Sequence, residues 1–395
     1  MPGVTAELAE RAFEHGRLAI DTEFVSERRY QAMLCLAQVA VPDPAAPDGV
    51  RTDVLDPLDD ESLDPAPLAR ALADPAVEVV MHAGRQDVAI VRRTWGTDIT
   101  NIFDTQVAAG FLGLGNQEGY ESLVRRVLGV KLKGTEGFTK WDKRPLTPKQ
   151  IEYAGDDARL LLSLGDEVER RLQEGGRLEW AREECRALEA VTDERTPQRI
   201  YDRLPRLGRL DDTGRAVALA LVEWREEMAR GMDRPAGFVI PDQALIELAR
   251  RQPTTSEALE HIRALPPQTL HRRGRELLET IERGKRRDAP AAPPEAPKRD
   301  SRDASLVALA QALVRHRSQE SRIAVELIAT QSELAEMVAQ VRRGEDGAGL
   351  RVAEGWREEL VGNELRELLA GRRSLSVDEH GRLHVAEVAP ASPSG

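Results

Sequence analysis

Leu18-Ala19-Ile20-Asp21-Thr22-Glu23-Phe24 is an apolar run that breaks into two acids separated by one residue. The apolar trio predicts a strand, and a strand's period of two sends Asp21 and Glu23 from the same face, about 7 Å apart. Two like charges held beside a buried sheet repel each other and are poorly solvated. A hard divalent cation such as Mg²⁺ or Mn²⁺ relieves both costs. A strand end with two exposed acids is the plainer alternative, and an Asp-x-Glu taken alone favours it.

Outward from this stretch, Met33 to Val41, Val50 to Leu55 and Val77 to Met81 are further strand-like runs. Helical patterns at Pro67 to Ala73, Asp87 to Trp95 and Thr105 to Leu112 alternate with and follow them, which predicts an α/β segment with a mixed sheet. From Pro148 onward the period is 3.6, with only weak strand candidates at the extreme C-terminus. Thr196 to Asp212 is punctuated by Pro, Arg and Asp. Asp288 to Asp303 is a Pro/Ala-rich linker, expected to carry few contacts across it. The blocks on either side of this linker look like distant repeats. In one, Val239-Ile240-Pro241 precedes Asp242 as cap and a helix over Gln243 to Arg251; in the other, Leu327-Ile328-Ala329 precedes Thr330 as cap and a helix over Gln331 to Val341. A pair of small helical modules is the expectation.

The 395 residues suggest two or three domains, and a 41% apolar share can fill them. With 31% charged and 4% aromatic residues, the composition is that of a soluble, largely helical protein. No apolar run approaches the roughly 20 residues of a membrane span, and the acidic start, with Glu7, Glu10 and Glu14, lacks the character of a signal peptide. A cytoplasmic protein without a membrane partner is expected. Cys35 and Cys185 have no metal-type spacing, and Cys35 reads as a small buried hydrophobe. The net charge of −12 does not exclude a nucleic-acid partner, because local patches decide such binding. One basic run lies between Arg125 and Lys149, and another includes Arg272, Arg273 and Arg275.

A third acid stands in His82-Ala83-Gly84-Arg85-Gln86-Asp87, where Gly84 lets the chain turn into a helix that Asp87 is expected to open as a cap. His82 is read as a hydrogen-bonded structural residue. Tyr153-Ala154-Gly155-Asp156-Asp157 lies in the helix after Pro148. Tyr153 and Asp157 share a face there, so a carboxylate can take a metal while the phenol reaches a water beside it. Asp156 is also near that face, and spacing alone leaves the two acids undecided.

Asp21-Thr22-Glu23-Phe24, His82-Ala83-Gly84-x-x-Asp87, Phe103-Asp104-Thr105-Gln106 and Tyr153-x-x-x-Asp157, in this order, resemble the motifs of the ribonuclease D branch of the DEDD exonucleases. Trp180 to Cys185 resembles that family's connecting helix, and two HRDC domains, the helicase and ribonuclease D C-terminal module, would follow. The resemblance implies a ribonuclease H-like 3′–5′ exonuclease domain over 1–175, a connecting segment over 176–209, one HRDC domain over 210–287, the linker over 288–302 and a second HRDC-like domain over 303–385. It implies a metal-dependent 3′–5′ exoribonuclease that releases nucleoside 5′-monophosphates, with two ions of Mg²⁺ or Mn²⁺. Asp21, Glu23 and Asp157 would hold one ion, Asp21 would bridge to the second, and Asp87 would support that one through water. Tyr153 would orient the attacking water, family spacing selects Asp157 over Asp156, and Asp104 would cap the helix from Thr105. The implied substrate is the RNA 3′ end, with precursor or defective tRNA foremost, and the implied state is a monomer.

Candidate RNA contacts are Phe24, stacking on a terminal base, and Lys140, Trp141, Lys143 and Arg144 beside the inferred site, with Arg272, Arg273 and Arg275 in the first module. Trp356 is expected in a core. A DNA exonuclease using the same four acids and a catalytically silent RNA-binding scaffold are the competing readings. The paired modules favour RNA, and the four acids with Tyr153 favour catalysis.

Overall fold

A computed structural model describes residues 3–115, 117–132, 139–292 and 301–388. Strands β1 (Arg17–Val25), β2 (Met33–Pro42), β3 (Val50–Leu55), β4 (Glu78–Met81) and β5 (Ile102–Asp104) form one sheet in the order β3-β2-β1-β4-β5. The β1–β2 and β2–β3 pairings are antiparallel, whereas β1–β4 and β4–β5 are parallel, so the sheet is mixed as expected. The chain builds outward from β1 on one side and then from β4 on the other. The junction of β1 and β4 is therefore a switch point, and crevices at strand carboxyl ends form there. Asp21 and Glu23 lie toward that end of β1. A register shift opposite Glu23 and Phe24 leaves Cys35 of β2 without a partner, a bulge that re-aims the end of β1.

The N-terminal half carries helices α1 (Val4–His15), α2 (Ala66–Ala73), α3 (Arg85–Trp95), α4 (Thr105–Gly110), α5 (Tyr120–Leu128), α6 (Pro148–Arg159), α7 (Leu161–Glu174) and α8 (Leu178–Glu189). Alternation along β1 sorts them. Leu18 and Ile20 face α1, α2 and α3 through Leu8, Leu68, Leu72 and Val88, whereas Ala19 faces Ala158, Leu161 and Leu162 of α6 and α7. β2 is covered on both faces, which is why its sequence is apolar at nearly every position. Helix α1 and strand β5 are not foreseen by periodicity, and β5, at three residues, is too short to show any.

The remainder is helical: α9 (Pro197–Asp202), α10 (Asp212–Gly231), α11 (Ala236–Val239), α12 (Asp242–Arg251), α13 (Ser256–Glu260) and α14 (Pro267–Lys285), then α15 (Ser301–Ser321), α16 (Val325–Ile328), α17 (Gln331–Arg342), α18 (Gly355–Arg357), a π turn over Glu358–Gly362 and α19 (Asn363–Leu369). A hairpin of β6 (Arg373–Val377) and β7 (Leu383–Glu387) accounts for the weak C-terminal strand signal. Thr330 caps α17 in a reciprocal box with Glu333, as the sequence predicts. The expected cap at Asp242 is corrected. Pro241 occupies the cap position, and Asp242 is the first helical residue, its carboxylate drawn off by Arg225 at 2.6 Å.

The linker does not separate independent bodies. Residues 293–300 of it lie outside the described residues, but the module beyond shares a core with the N-terminal half. Trp356 is buried and packs edge-on against Phe111, with centroids 4.9 Å apart, and stacks on Trp180 at 5.8 Å. Arg357 lies over the same indole and reaches Glu184 at 2.5 Å. Gly355 sits at φ +53°, where a Cβ would strike the Glu183 carboxylate. The expectation of few contacts fails because three aromatic rings far apart in sequence meet here. Burial of Trp356 as core is borne out.

Candidate metal and catalytic centre

Because Asp21 and Glu23 continue the face that Ala19 presents, they emerge beneath α6. The register of α6 is set at its start, where Thr147 caps the helix in a reciprocal box with Gln150 and Pro148 takes the first turn. From that start Tyr153 and Asp157 come round to the same side, and the phenol donates a hydrogen bond to Asp157. Asp156 turns to Arg159, 2.9 Å away. The structure thereby separates the two acids that spacing leaves undecided: Asp157 faces the site, and Asp156 belongs to a surface pair.

Asp87 arrives from the other face. Helix α3 opens at Arg85 with Gly84 in the cap position, so Asp87 lies in the first turn and is not the cap the sequence predicts. It is buried and accepts a hydrogen bond from the Thr22 hydroxyl, which alternation points to that side of β1. Asp104 caps α4 through the amides of Gln106 and Val107, as expected. It also accepts from the amides of Ala83 and Gly84, at 3.2 and 2.8 Å, and so pins the turn that delivers Asp87.

The electrostatics follow from this crowding. Asp21 is held well above the ordinary carboxylate range, first by burial and then by the charges of Asp87, Asp157 and Glu23. Burial and the charges of Asp157 and Asp87 push Glu23 to about 8. Asp87 and Asp157 are each raised to about 6, chiefly by burial, with the Thr22 and Tyr153 hydroxyls opposing the rise. Four acids that destabilise one another's charge, offering only hard oxygens, form a donor set suited to divalent cations. Among the described residues, no three or more Asp, Glu, His or Cys side chains stand close enough together, as the side chains lie here, to hold a metal ion.

Asp21, Tyr153 and Asp157 line a cavity of about 420 Å³ together with His82 and Tyr120. Tyr120 is a residue the sequence reading misses. Its ring lies 5.4 Å from that of His82, and its buried hydroxyl has no hydrogen-bond partner among the described residues. A tyrosine at the start of an amphipathic helix carries no sequence signal that separates it from core. His82 bonds Thr105 through Nδ1 at 2.9 Å, which fits its structural reading.

The suggested RNA contacts divide. Lys140, Lys143 and Arg272 are exposed, and Phe24 is partly exposed and joins no apolar cluster among the described residues. Trp141 is buried against Leu36 and Ala154 and stacks on Tyr153, so it supports that tyrosine and offers no face to a base. Arg144 is likewise removed from the surface set: it binds Asp56 at 2.5 Å and the Cys35 and Trp141 carbonyls. Arg273 and Arg275 pair with Glu276 and Glu279 of their own helix. Lys133, in the basic run, lies outside the described residues. Cys35 and Cys185 are buried and unpaired.

A family model described as a 3′–5′ exonuclease matches residues 4–173, and one described as an HRDC domain matches 215–281, within the first helical module. Ribonuclease D of Nitrobacter hamburgensis is 34% identical over 389 residues, covering 96% of this chain and 97% of the relative. Ribonuclease D of Sphingobium indicum is 35% identical over 392 residues, covering 96% and 95%. The solved structure of Escherichia coli RNase D, described as an exoribonuclease involved in structured RNA processing, matches with a TM-score of 0.79 at 26% identity, over 93% of this chain and 96% of that one.

Proposed function

The chain belongs to the ribonuclease D family and is a 3′–5′ exoribonuclease, and on that premise we propose that Asp21, Glu23, Asp87 and Asp157 hold two divalent ions, Mg²⁺ or Mn²⁺, beside Tyr153. The observation that carries this reading is the crowding of four carboxylates from β1, α3 and α6, each raised above its ordinary range, two of which, Asp21 and Asp157, line the cavity beside Tyr153. When bound, such ions supply a hydroxide at neutral pH and stabilise the leaving 3′-oxygen. Asp21, Glu23 and Asp157 would hold one ion, and Asp21 with Asp87, steadied by Thr22, would hold the other. Tyr153, braced by Trp141 and hydrogen-bonded to Asp157, orients the attacking water by its hydroxyl. Water adds to phosphorus, the P–O3′ bond breaks, the 3′-oxygen takes a proton, and a nucleoside 5′-monophosphate leaves.

Phe24 offers a ring to the terminal base, and Lys140, Lys143 and Arg272 offer charge to the backbone. The domain limits 1–175, 210–287 and 303–385 are part of this reading, with the last module a second HRDC-like domain. It repeats the first in having a long helix, a four-residue helix and a helix of 10 or 12 residues in the same order. Structured RNA such as precursor tRNA, a monomeric state and the cytoplasm complete it. In its support, the Escherichia coli relative is described as involved in structured RNA processing, and no described helix is long and apolar enough to cross a membrane.

The test is a time course on 5′-labelled and 3′-labelled RNA with and without EDTA. A stepwise ladder from the 5′ label and immediate mononucleotide from the 3′ label, both lost on chelation and restored by Mg²⁺, are expected. A metal-independent ladder would refute the reading.

A further inference from the structure

Between the catalytic half and the first helical module lies a cleft of about 830 Å³. Its catalytic wall is the β1–β2 connection from Ser26 to Ala32 together with Gln86 and Ile90 of α3; its other wall is α9 and the start of α12. Both catalytic-side segments are continuous with the acids, since Ser26 follows the Glu23 end of β1 and Gln86 adjoins Asp87. The cleft contains none of the four acids and shares no lining residue with the smaller cavity lined by Tyr120; it adjoins the acids along the chain, through Ser26 and Gln86.

The charges within the cleft are unequal. Arg29, Arg195 and Arg225 each face a carboxylate, respectively Asp233, Glu226 and Asp242. Arg199 on α9 and Arg203, the C-terminal cap of that helix and still in helical conformation, are exposed and have no acid partner among the described residues. Helical positions four apart place their side chains about 5–6 Å from each other, a spacing that suits neighbouring phosphates of a strand. Unpaired guanidiniums in a concave site are suited to phosphate through forked, charge-assisted hydrogen bonds.

The cleft is held open by a built joint. Tyr30, at the tip of the β1–β2 connection, is buried in the first module's core. Its hydroxyl donates to the buried Glu226 at 2.9 Å and its amide to Asp233 at 3.1 Å, while Arg195 and Arg230 lie over its ring, 5.4 and 5.5 Å from the centroid. The two walls are therefore fixed relative to each other before anything binds, which lowers the ordering cost of a ligand.

Resting on the exoribonuclease reading above, we infer that this cleft is the track for the single strand 5′ of the scissile phosphate, with Arg199 and Arg203 contacting its backbone. Such contacts carry no base information, so the track is indifferent to sequence. They act on substrates long enough to reach α9 and leave chemistry at the terminal phosphate alone.

The experiment uses the full chain and the double variant Arg199→Ala/Arg203→Ala, whose side chains are exposed, with an unchanged Tm as control. KM and kcat are measured on a single-stranded 12-mer RNA and on a diribonucleotide, and binding of the 12-mer is titrated with salt in an Asp21→Asn background. The variant is expected to raise KM for the 12-mer about tenfold with kcat unchanged, to leave the diribonucleotide within about twofold, and to make the log–log salt slope shallower by about 1.4. An unchanged 12-mer KM and salt slope, or an equal KM rise on both substrates, overturns the inference. Wild-type turnover by Asp21→Asn would instead sink the metal-site reading, and the salt slope would still decide the cleft.

Discussion

Asp157→Asn in protein stripped of divalent cations isolates the cost of crowding the four acids. The folded structure holds Asp157 at about 6 against an ordinary 3.8, so ionising it costs the fold up to about 3 kcal/mol. The sign follows from the raised pKa. Stability contributed by the neutral carboxyl is complete below about pH 4 and is lost as pH rises through about 6. Glu23, raised to about 8, extends that loss further. Metal-free wild type is therefore least stable toward pH 8, and the amide variant, which cannot ionise but can still accept from Tyr153, escapes one part of the loss. Shared repulsion and partial exposure make about 1–3 kcal/mol the expected gain at pH 8, or about 3–10 °C in Tm for a unit of this size. Scanning calorimetry at pH 5 and pH 8, with and without Mg²⁺, measures it. Wild type gains more from Mg²⁺ than the variant does, and the variant hydrolyses RNA at a small fraction of the wild-type rate. The reasoning is refuted if the variant unfolds below wild type at pH 8 without metal, or if Mg²⁺ raises both by the same amount.

Asp156→Asn, which disturbs only the exposed pair with Arg159, should keep kcat within about twofold, since exposed pairs contribute about 0–1 kcal/mol and no catalysis; a loss as large as that of Asp157→Asn would reverse the assignment. Tyr153→Phe should lower kcat by roughly 10²-fold with little change in KM, read from single-turnover kinetics at saturating RNA, and an unchanged kcat would remove Tyr153 from the chemistry. Trp356→Ala should cost about 3–5 kcal/mol in denaturant unfolding, because a buried ring shared by two modules is lost. Ending the chain at Ala292 should lower the Tm of the catalytic half by exposing Phe111 and Trp180; a truncated protein as stable as the full chain would show that the shared core contributes little.

The local chemistry was legible because it is periodic. Apolar runs gave β1 to β4, the Asp-x-Glu spacing put two carboxylates on one strand face, and the four-residue interval put Tyr153 and Asp157 on one helix face. Order along the chain then matched the remaining acids to a family, without geometry. What spacing could not decide was set by contacts between distant segments. Asp157 rather than Asp156 faces the site because the Thr147 cap fixes the rotation of α6, and Arg159 takes the other acid. Trp141 and Arg144 read as surface contacts in a basic run, yet packing on Tyr153 and Asp56 withdraws both. The linker read as a free boundary because composition reports only its own flexibility; Trp356, Phe111 and Trp180 join the modules across it through apolar burial, which depends on proximity in space and leaves no period in the sequence.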